Sequence, residues 1–168
     1  QLVTCKLTCI YKKEIPRKNL LFNHLLHSFT MTELANAFSG ASVISASSFD
    51  PQHPPSSVID GEYNTFWLTT GVYPQEIVVQ LGEPSLIKGV ELMSTGIRKV
   101  ELAKSEGPSN MWETIADTES NESDSEVQRI SLQAPPRVTA GCLRIRVTSG
   151  WADCTSLYKV SVLGTAKR

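Results

Sequence analysis

Leu143-Arg144-Ile145-Arg146-Val147-Thr148 alternates apolar and polar side chains residue by residue. That period of two belongs to a β-strand with one face buried and one in water, because successive side chains leave a strand on opposite faces. Outward from it lie other segments of strand length: Ser42–Ala46, Glu76–Leu81, Leu86–Met93, Val100–Ala103, Trp112–Ala116, Val127–Leu132 and Leu157–Leu163. Glu76–Leu81 is mostly apolar, with Ile77, Val78, Val79 and Leu81, whereas Leu86–Met93 sets Ile87, Val90 and Leu92 among polar residues. Turn signals separate them at Gly82-Glu-Pro84, Gly107-Pro108, Ala134-Pro-Pro136, Gly141 and Ser149-Gly150. Eight or so short strands, with no long amphipathic helix and no internal repeat, predict an all-β fold, an antiparallel sandwich or barrel. Met31–Phe38 has room for a helical turn or two.

The composition agrees with one such domain. The chain has 168 residues, 40% hydrophobic and 20% charged, with a formal net charge of −1. A single domain centres near roughly 100–150 residues, so a real core can form. No run approaches the ~18 apolar residues of a transmembrane helix, and a near-neutral balance gives no general field for nucleic acid or anionic membranes. The charge is unevenly spread: residues 1–30 hold five basic residues against one acidic, and the remainder 11 basic against 16 acidic. That first stretch also holds two of the three histidines and two of the four cysteines, Cys5 and Cys9. Residues 1–30 are therefore read as an extension foreign to the domain, disordered or not native, since Met31-Thr-Glu-Leu reads like a natural start. Its basic character and apolar Leu20–Phe29 segment leave a mitochondrial presequence as the alternative. Cys142 and Cys154 alone make no disulfide framework, which favours free thiols in a reducing compartment. The sequon Asn121-Glu-Ser123 points the other way.

Little in the sequence speaks for catalysis. Beyond the extension the only histidine is His53, placed in a loop between Gln52 and Pro54. There is no Gly-x-Ser-x-Gly elbow and no glycine-rich nucleotide loop, and Cys and His do not fall at zinc spacing. A non-enzymatic protein is expected. Two long loops stand out, and such loops are functional or disordered more often than idle. Asp117–Glu126 holds five acids and no base. It reads as a solvated hairpin loop, or as a phosphorylated interaction loop, because Ser123 has Glu126 three residues on. Phe49–Asn64 is rich in Pro, Ser and Asp, and runs into Thr65-Phe-Trp67. Asp60-Gly61 makes a tight turn that starts with a carboxylate, and Thr65 and Trp67 share a face if a strand begins there. A loop folded back in this way can aim oxygens at one point, as a hard calcium ion requires. The plainer alternative has Asp60 capping a turn and Trp67 filling the core.

Asp60-Gly-x-x-x-Thr65-x-Trp67, after Pro and a Val-Ile pair, resembles the first long loop of the galactose-binding, discoidin-like jelly rolls. The likeness extends through Ser47-Ser-Phe-Asp-Pro-Gln-His-Pro-Pro55, Thr69-Thr-Gly71 and Tyr73-Pro-Gln-Glu76 to Val160-Ser-Val-Leu-Gly-Thr165. In that combination the chain is similar to the small discoidin-like subunits of intraflagellar transport complex B. The resemblance implies an antiparallel jelly-roll sandwich over 42–165, after a short lead-in over 31–41 and before a tail over 166–168. It implies a structural calcium (Ca2+) held by the Ser57 carbonyl, the Asp60 carboxylate, the Glu62 carbonyl and Thr65, with the Leu163 backbone closing the site. Relatives often place an acidic side chain where this chain has Leu163, so the charge at such a site is lower here.

By the same resemblance the partner would be a Rab-like small GTPase of intraflagellar transport complex B. The heterodimer would contact other complex B subunits and work in the cilium or flagellum and the cytoplasm, with neither nucleic acid nor membrane insertion. Trp112 and Trp151 are candidates for partner anchors, or for core filling. The second class of function is a carbohydrate- or phospholipid-binding module, for which Phe49, Tyr73 and Trp151 would have to line the loop tips.

Overall fold

The computed structural model describes residues 31–108, 111–123 and 126–166. The 1–30 extension, the last two residues of the tail and residues 124–125 of the acidic loop lie outside them. Eight strands run in chain order: β1 (Thr32–Glu33), β2 (Ser42–Ala46), β3 (Trp67–Leu68), β4 (Gln75–Thr95), β5 (Ile97–Ser105), β6 (Glu113–Glu119), β7 (Gln128–Gly150) and β8 (Ser156–Ala166). Every pairing among them is antiparallel.

The two longest strands build both layers. Glu76–Leu81 and Leu86–Met93, read above as separate strands, are one 21-residue strand, β4. Val127–Leu132 and Leu143–Val147 likewise join into the 23-residue β7. The punctuation read as turns is a pair of bends. In β4 the register shifts between Gln80 and Ser85, across Gly82-Glu-Pro84. In β7 the chain passes Pro135-Pro136 and takes φ +64° at Arg137. Proline has no N–H to give the ladder, so both strands bend where it occurs. Before its bend β4 pairs with β2 and with the second half of β7, which in turn pairs with β5, and β5 with β6. After its bend β4 pairs with the first half of β7 and with β8. Two layers result, bent over one another as a jelly-roll sandwich.

Alternation decides what lies between the layers. Leu143, Ile145 and Val147 of one layer meet Val90, Leu92, Val160 and Val162 of the other in a single buried cluster. Arg144 and Arg146 point to the outside, as the alternation requires. Trp67 is 1% exposed, and its indole N–H donates to the Ser48 carbonyl at 3.0 Å. It fills the core where the first long loop returns to the sheet.

Three expectations need correction. Met31–Phe38 is helical only at its end: Thr32–Glu33 pairs with β8, and a single 3-10 turn forms at Ala37–Ser39, capped by the Asn36 side chain. Asp117–Glu119 belongs to β6 rather than to the acidic loop, because its backbone pairs with Lys99–Glu101. Thr65 lies before β3, so it does not share a strand face with Trp67.

If Trp67 carries this part of the core, Trp67→Ala should cost about 3–5 kcal/mol by urea denaturation. A loss below about 1 kcal/mol would mean that the cavity closes or that the ring is not packed as described.

Candidate functional site

The β2–β3, β3–β4 and β7–β8 connections gather at one end of the sandwich, held by a few polar groups. Gln75, 4% exposed at the start of β4, is the hub. Its Oε1 accepts from the hydroxyls of Ser47 at 2.7 Å and Ser48 at 2.6 Å, and its Nε2 donates to the Val72 carbonyl at 2.6 Å. Ser48 Oγ accepts in turn from the Thr70 N–H, and Ser47 Oγ from the Glu76 N–H. Thr69, also buried, accepts from the Thr155 N–H at 2.8 Å. The Ser-Ser, Thr-Thr and Gln-Glu pairs of the sequence motif are thus one network. Their spacing in sequence gave no sign of a shared partner.

Tyr73 ties the same end to the β7–β8 connection. Its hydroxyl lies 2.9 Å from the Ala152 carbonyl and 2.7 Å from Thr155 Oγ1, and a Cβ on Gly150 would run into it. Glycine is needed there for close approach, not for turn geometry. Burial pushes the Tyr73 phenol above its usual range, against the opposing pull of the Thr155 hydrogen bond; Cys154 and Asp153 add to the rise.

The calcium candidate lies in the connection between β2 and β3. Pro55–Ile59 is a 3-10 turn that packs against β8 and buries Ser57, Val58 and Ile59. Asp60 caps it, and Gly61 follows at φ +88°, a region open to glycine and strained for most other residues. The Asp60 carboxylate closes the loop on itself: Oδ1 accepts from the Glu62 N–H at 2.8 Å, and Oδ2 from the Thr65 hydroxyl at 2.8 Å. The groups that meet at the Asp60 carboxylate are thus two donors, the Glu62 N–H and the Thr65 hydroxyl, and Ser57 sits buried one turn before. Leu163 lies in β8, opposite Glu33 and Gly89. Glu33, passed over in the lead-in, accepts through Oε1 from the Val162 N–H at 2.7 Å and the Ala35 N–H at 3.0 Å. A carboxylate thus reaches the chain one residue from Leu163, but it comes from β1. Only the tertiary pairing of β1 with β8 brings it there. Among the described residues no three Asp, Glu, His or Cys side chains form a metal cluster.

The remaining candidates divide. His53 stacks on Phe66 at 4.0 Å, and Phe66 meets Tyr158 at 5.1 Å, which makes His53 a packing residue. Neither Trp112 nor Trp151 fills the core. Trp112 is half-buried, with the Arg144 guanidinium 5.0 Å from its ring centre. Trp151 is 39% exposed, carries Arg98 at 4.9 Å over its ring, and donates to the Ser120 carbonyl. Arg98 also bonds Glu119 at 2.9 Å and, with Lys99, holds that carboxyl below the usual carboxylate range. Phe49 is exposed at the loop tips. Cys142 is buried, which pushes its thiol up; Cys154 is exposed, and both are free.

Tyr73→Phe removes a hydroxyl with two partners and should cost about 1 kcal/mol near neutral pH. The folded chain holds the phenol proton more tightly than the unfolded one. Its contribution is therefore full below about pH 10 and is lost as pH rises through the folded value. Denaturant midpoints of wild type and Tyr73→Phe should converge at alkaline pH, and a constant gap would remove the assignment.

Comparison with known proteins places this geometry. The chain is similar to intraflagellar transport protein 25 of Chlamydomonas reinhardtii, 29% identical over 139 residues, 80% of this chain and 70% of that protein. It is 28% identical over 134 residues to the intraflagellar transport protein 25 homolog of Homo sapiens, 79% of this chain and 92% of that protein. Among solved structures, the family 32 CBM from C. perfringens NanJ in complex with galactose superposes with a TM-score of 0.68 at 21% identity, over 79% of this chain and 98% of that one. This likeness supports the fold alone. The family model for the F5/8 type C domain matches residues 43–160, from β2 into β8, and the chain belongs to that family.

Proposed function

We propose that this chain is a non-enzymatic subunit of the intraflagellar transport machinery of cilia and flagella, and that it pairs with a Rab-like small GTPase of complex B. The observation that carries the reading is the extent of the likeness to the intraflagellar transport protein 25 homologues, which takes in 92% of the human protein. The molecule is compatible with a scaffold: broad sheet faces are laced with ion pairs, such as Arg146 between Glu76 and Glu101. A specific heterodimer generally needs more than ~1,000 Å² of buried surface, and a sandwich offers such faces. Other complex B subunits would be reached through the pair.

A carbohydrate- or phospholipid-binding role is the second reading, favoured by the galactose bound to the family 32 CBM of similar fold. The loop tips here argue against it. Arg98 covers one face of Trp151, and the Tyr73 hydroxyl is turned inward onto Ala152 and Thr155.

Within the transport reading, the Asp60 loop serves as a structural calcium site. Its oxygens are of the hard type calcium takes, from Asp60, Thr65 and the backbone at Ser57, Glu62 and Leu163. One carboxylate among them makes a weak site, because affinity follows ligand charge. Bound calcium would fix the loop against β8 and leave chemistry untouched.

Co-expression with the Rab-like GTPase should yield one size-exclusion peak containing both chains at one to one. Separate elution of two folded proteins would reject the pairing. For the metal, calcium should raise the melting temperature of the wild type and chelator should reverse it, whereas Asp60→Ala should respond to neither. Identical wild-type curves with and without chelator would dismiss the calcium.

A further inference from the structure

The two outer faces of the sandwich treat their cations differently. On the β4–β7–β5–β6 face, Arg98 and Lys99 share Glu119, Lys104 holds Glu113, and Arg144 and Arg146 both approach Glu76. On the opposite face, formed by β8, the second half of β4 and the first half of β7, no such neutralisation exists among the described residues. Register places Arg129 of β7 and Lys159 of β8 on either side of Met93 of β4, in one row across three strands. Val90, Leu92, Ile130 and Val160 point into the core, so Arg129, Met93 and Lys159 face outward. Neither cation forms an ion pair among the described residues.

The row is also hollow. Tyr63, 63% exposed, leaves the Asp60 loop and lies beside it, with the Lys159 ammonium 5.3 Å from its ring centre. Together with Glu91 and Ser161 these residues line a depression of about 140 Å³. Glu91 occupies the next row, between Ser131 and Ser161. An anion is therefore welcome along the Arg129–Met93–Lys159 row and repelled one row further on.

We propose that this face docks an acidic, Asp- or Glu-rich segment of a protein partner. Strands lie ~4.8 Å apart, which sets the Arg129 and Lys159 Cα atoms ~10 Å apart across the row. Two carboxylates two residues apart on an extended segment are ~6.8 Å apart, within reach of both long side chains. A single small anion would have to draw both cations over Met93. An anionic membrane would be held by broad positive charge, whereas here one carboxylate stands beside two cations. Met93 and the Tyr63 ring give the segment an apolar floor, and methionine and tyrosine are enriched at protein interfaces. The site is separate from the loop tips that Trp151 and Phe49 occupy, and it does not depend on the transport reading.

The test uses the full chain and a fluorescein-labelled octaglutamate peptide, read by anisotropy at low and physiological ionic strength. Wild type should bind, more weakly as salt rises. The double variant Arg129→Glu/Lys159→Glu should lose at least about tenfold in affinity, and Lys99→Glu/Lys104→Glu, on the paired face, should bind as wild type. Amide shifts in NMR should centre on Glu91–Met93, Arg129–Ser131 and Lys159–Ser161. Should the double variant not fold, Arg129→Gln/Lys159→Gln serves in its place. Equal losses in the two double variants, or shifts on the other face, would overturn the proposal. It would fall equally to phosphatidylserine vesicles bound more tightly than the peptide through the same two residues, or to a self-dimer that the double variant abolishes.

Discussion

A single buried amide holds the business end of this sandwich together. Gln75 sits where β4 begins and is satisfied by two serine hydroxyls from the exit of β2 and by the Val72 carbonyl. An unmade hydrogen bond at a buried site costs more than a made one returns, so this network specifies how the loops fold more than it adds stability. Through Ser48 it reaches Trp67, whose indole donates to the same serine's carbonyl, and so joins loop geometry to the core. Through Thr69 and Tyr73 the same end reaches the β7–β8 connection. The loop between β2 and β3 is long, but it is anchored at both ends.

That anchoring gives the Asp60 loop a fixed seat. Its 3-10 turn packs on β8, and β8 receives β3 at one end of its outer edge and β1 at the other. Covering the edge removes unpaired backbone groups that would otherwise invite another chain. Glu33 completes the cover by accepting from the Val162 N–H. The same arrangement delivers Tyr63 onto the outer face beside Lys159, so one loop serves both the oxygen-rich turn and the neighbouring cationic hollow.

Much of this was legible in the residues. The period-two alternation at Leu143–Val147 and the run at Glu76–Leu81 identified the core faces, because alternation is a local property of the extended chain. Asp60-Gly61 was legible as a turn, since the carboxylate, the glycine and the N–H it captures lie within three residues. The joining of strand pairs into β4 and β7 was not. Glycine and proline mark a bend and a turn in the same letters, and only long-range pairing across the bend tells them apart. For the same reason the acidic loop lost Asp117–Glu119 to β6: pairing with Lys99–Glu101 outweighs their low strand propensity.

By itself, then, the sequence determined the fold class, the inward-facing residues, the Asp60 turn and a discoidin-like resemblance, all carried by neighbours in the chain. The tertiary structure alone decided that Gln75 would gather Ser47 and Ser48, that Glu33 would cap β8 129 residues away, and that Arg129 and Lys159 would flank Met93 without a carboxylate partner among the described residues. The physical reason is the distance along the chain over which each is made. Periodicity and turns are enforced by sterics within a few residues, whereas register, capping and charge pairing exist only once strands far apart in sequence have closed on one another.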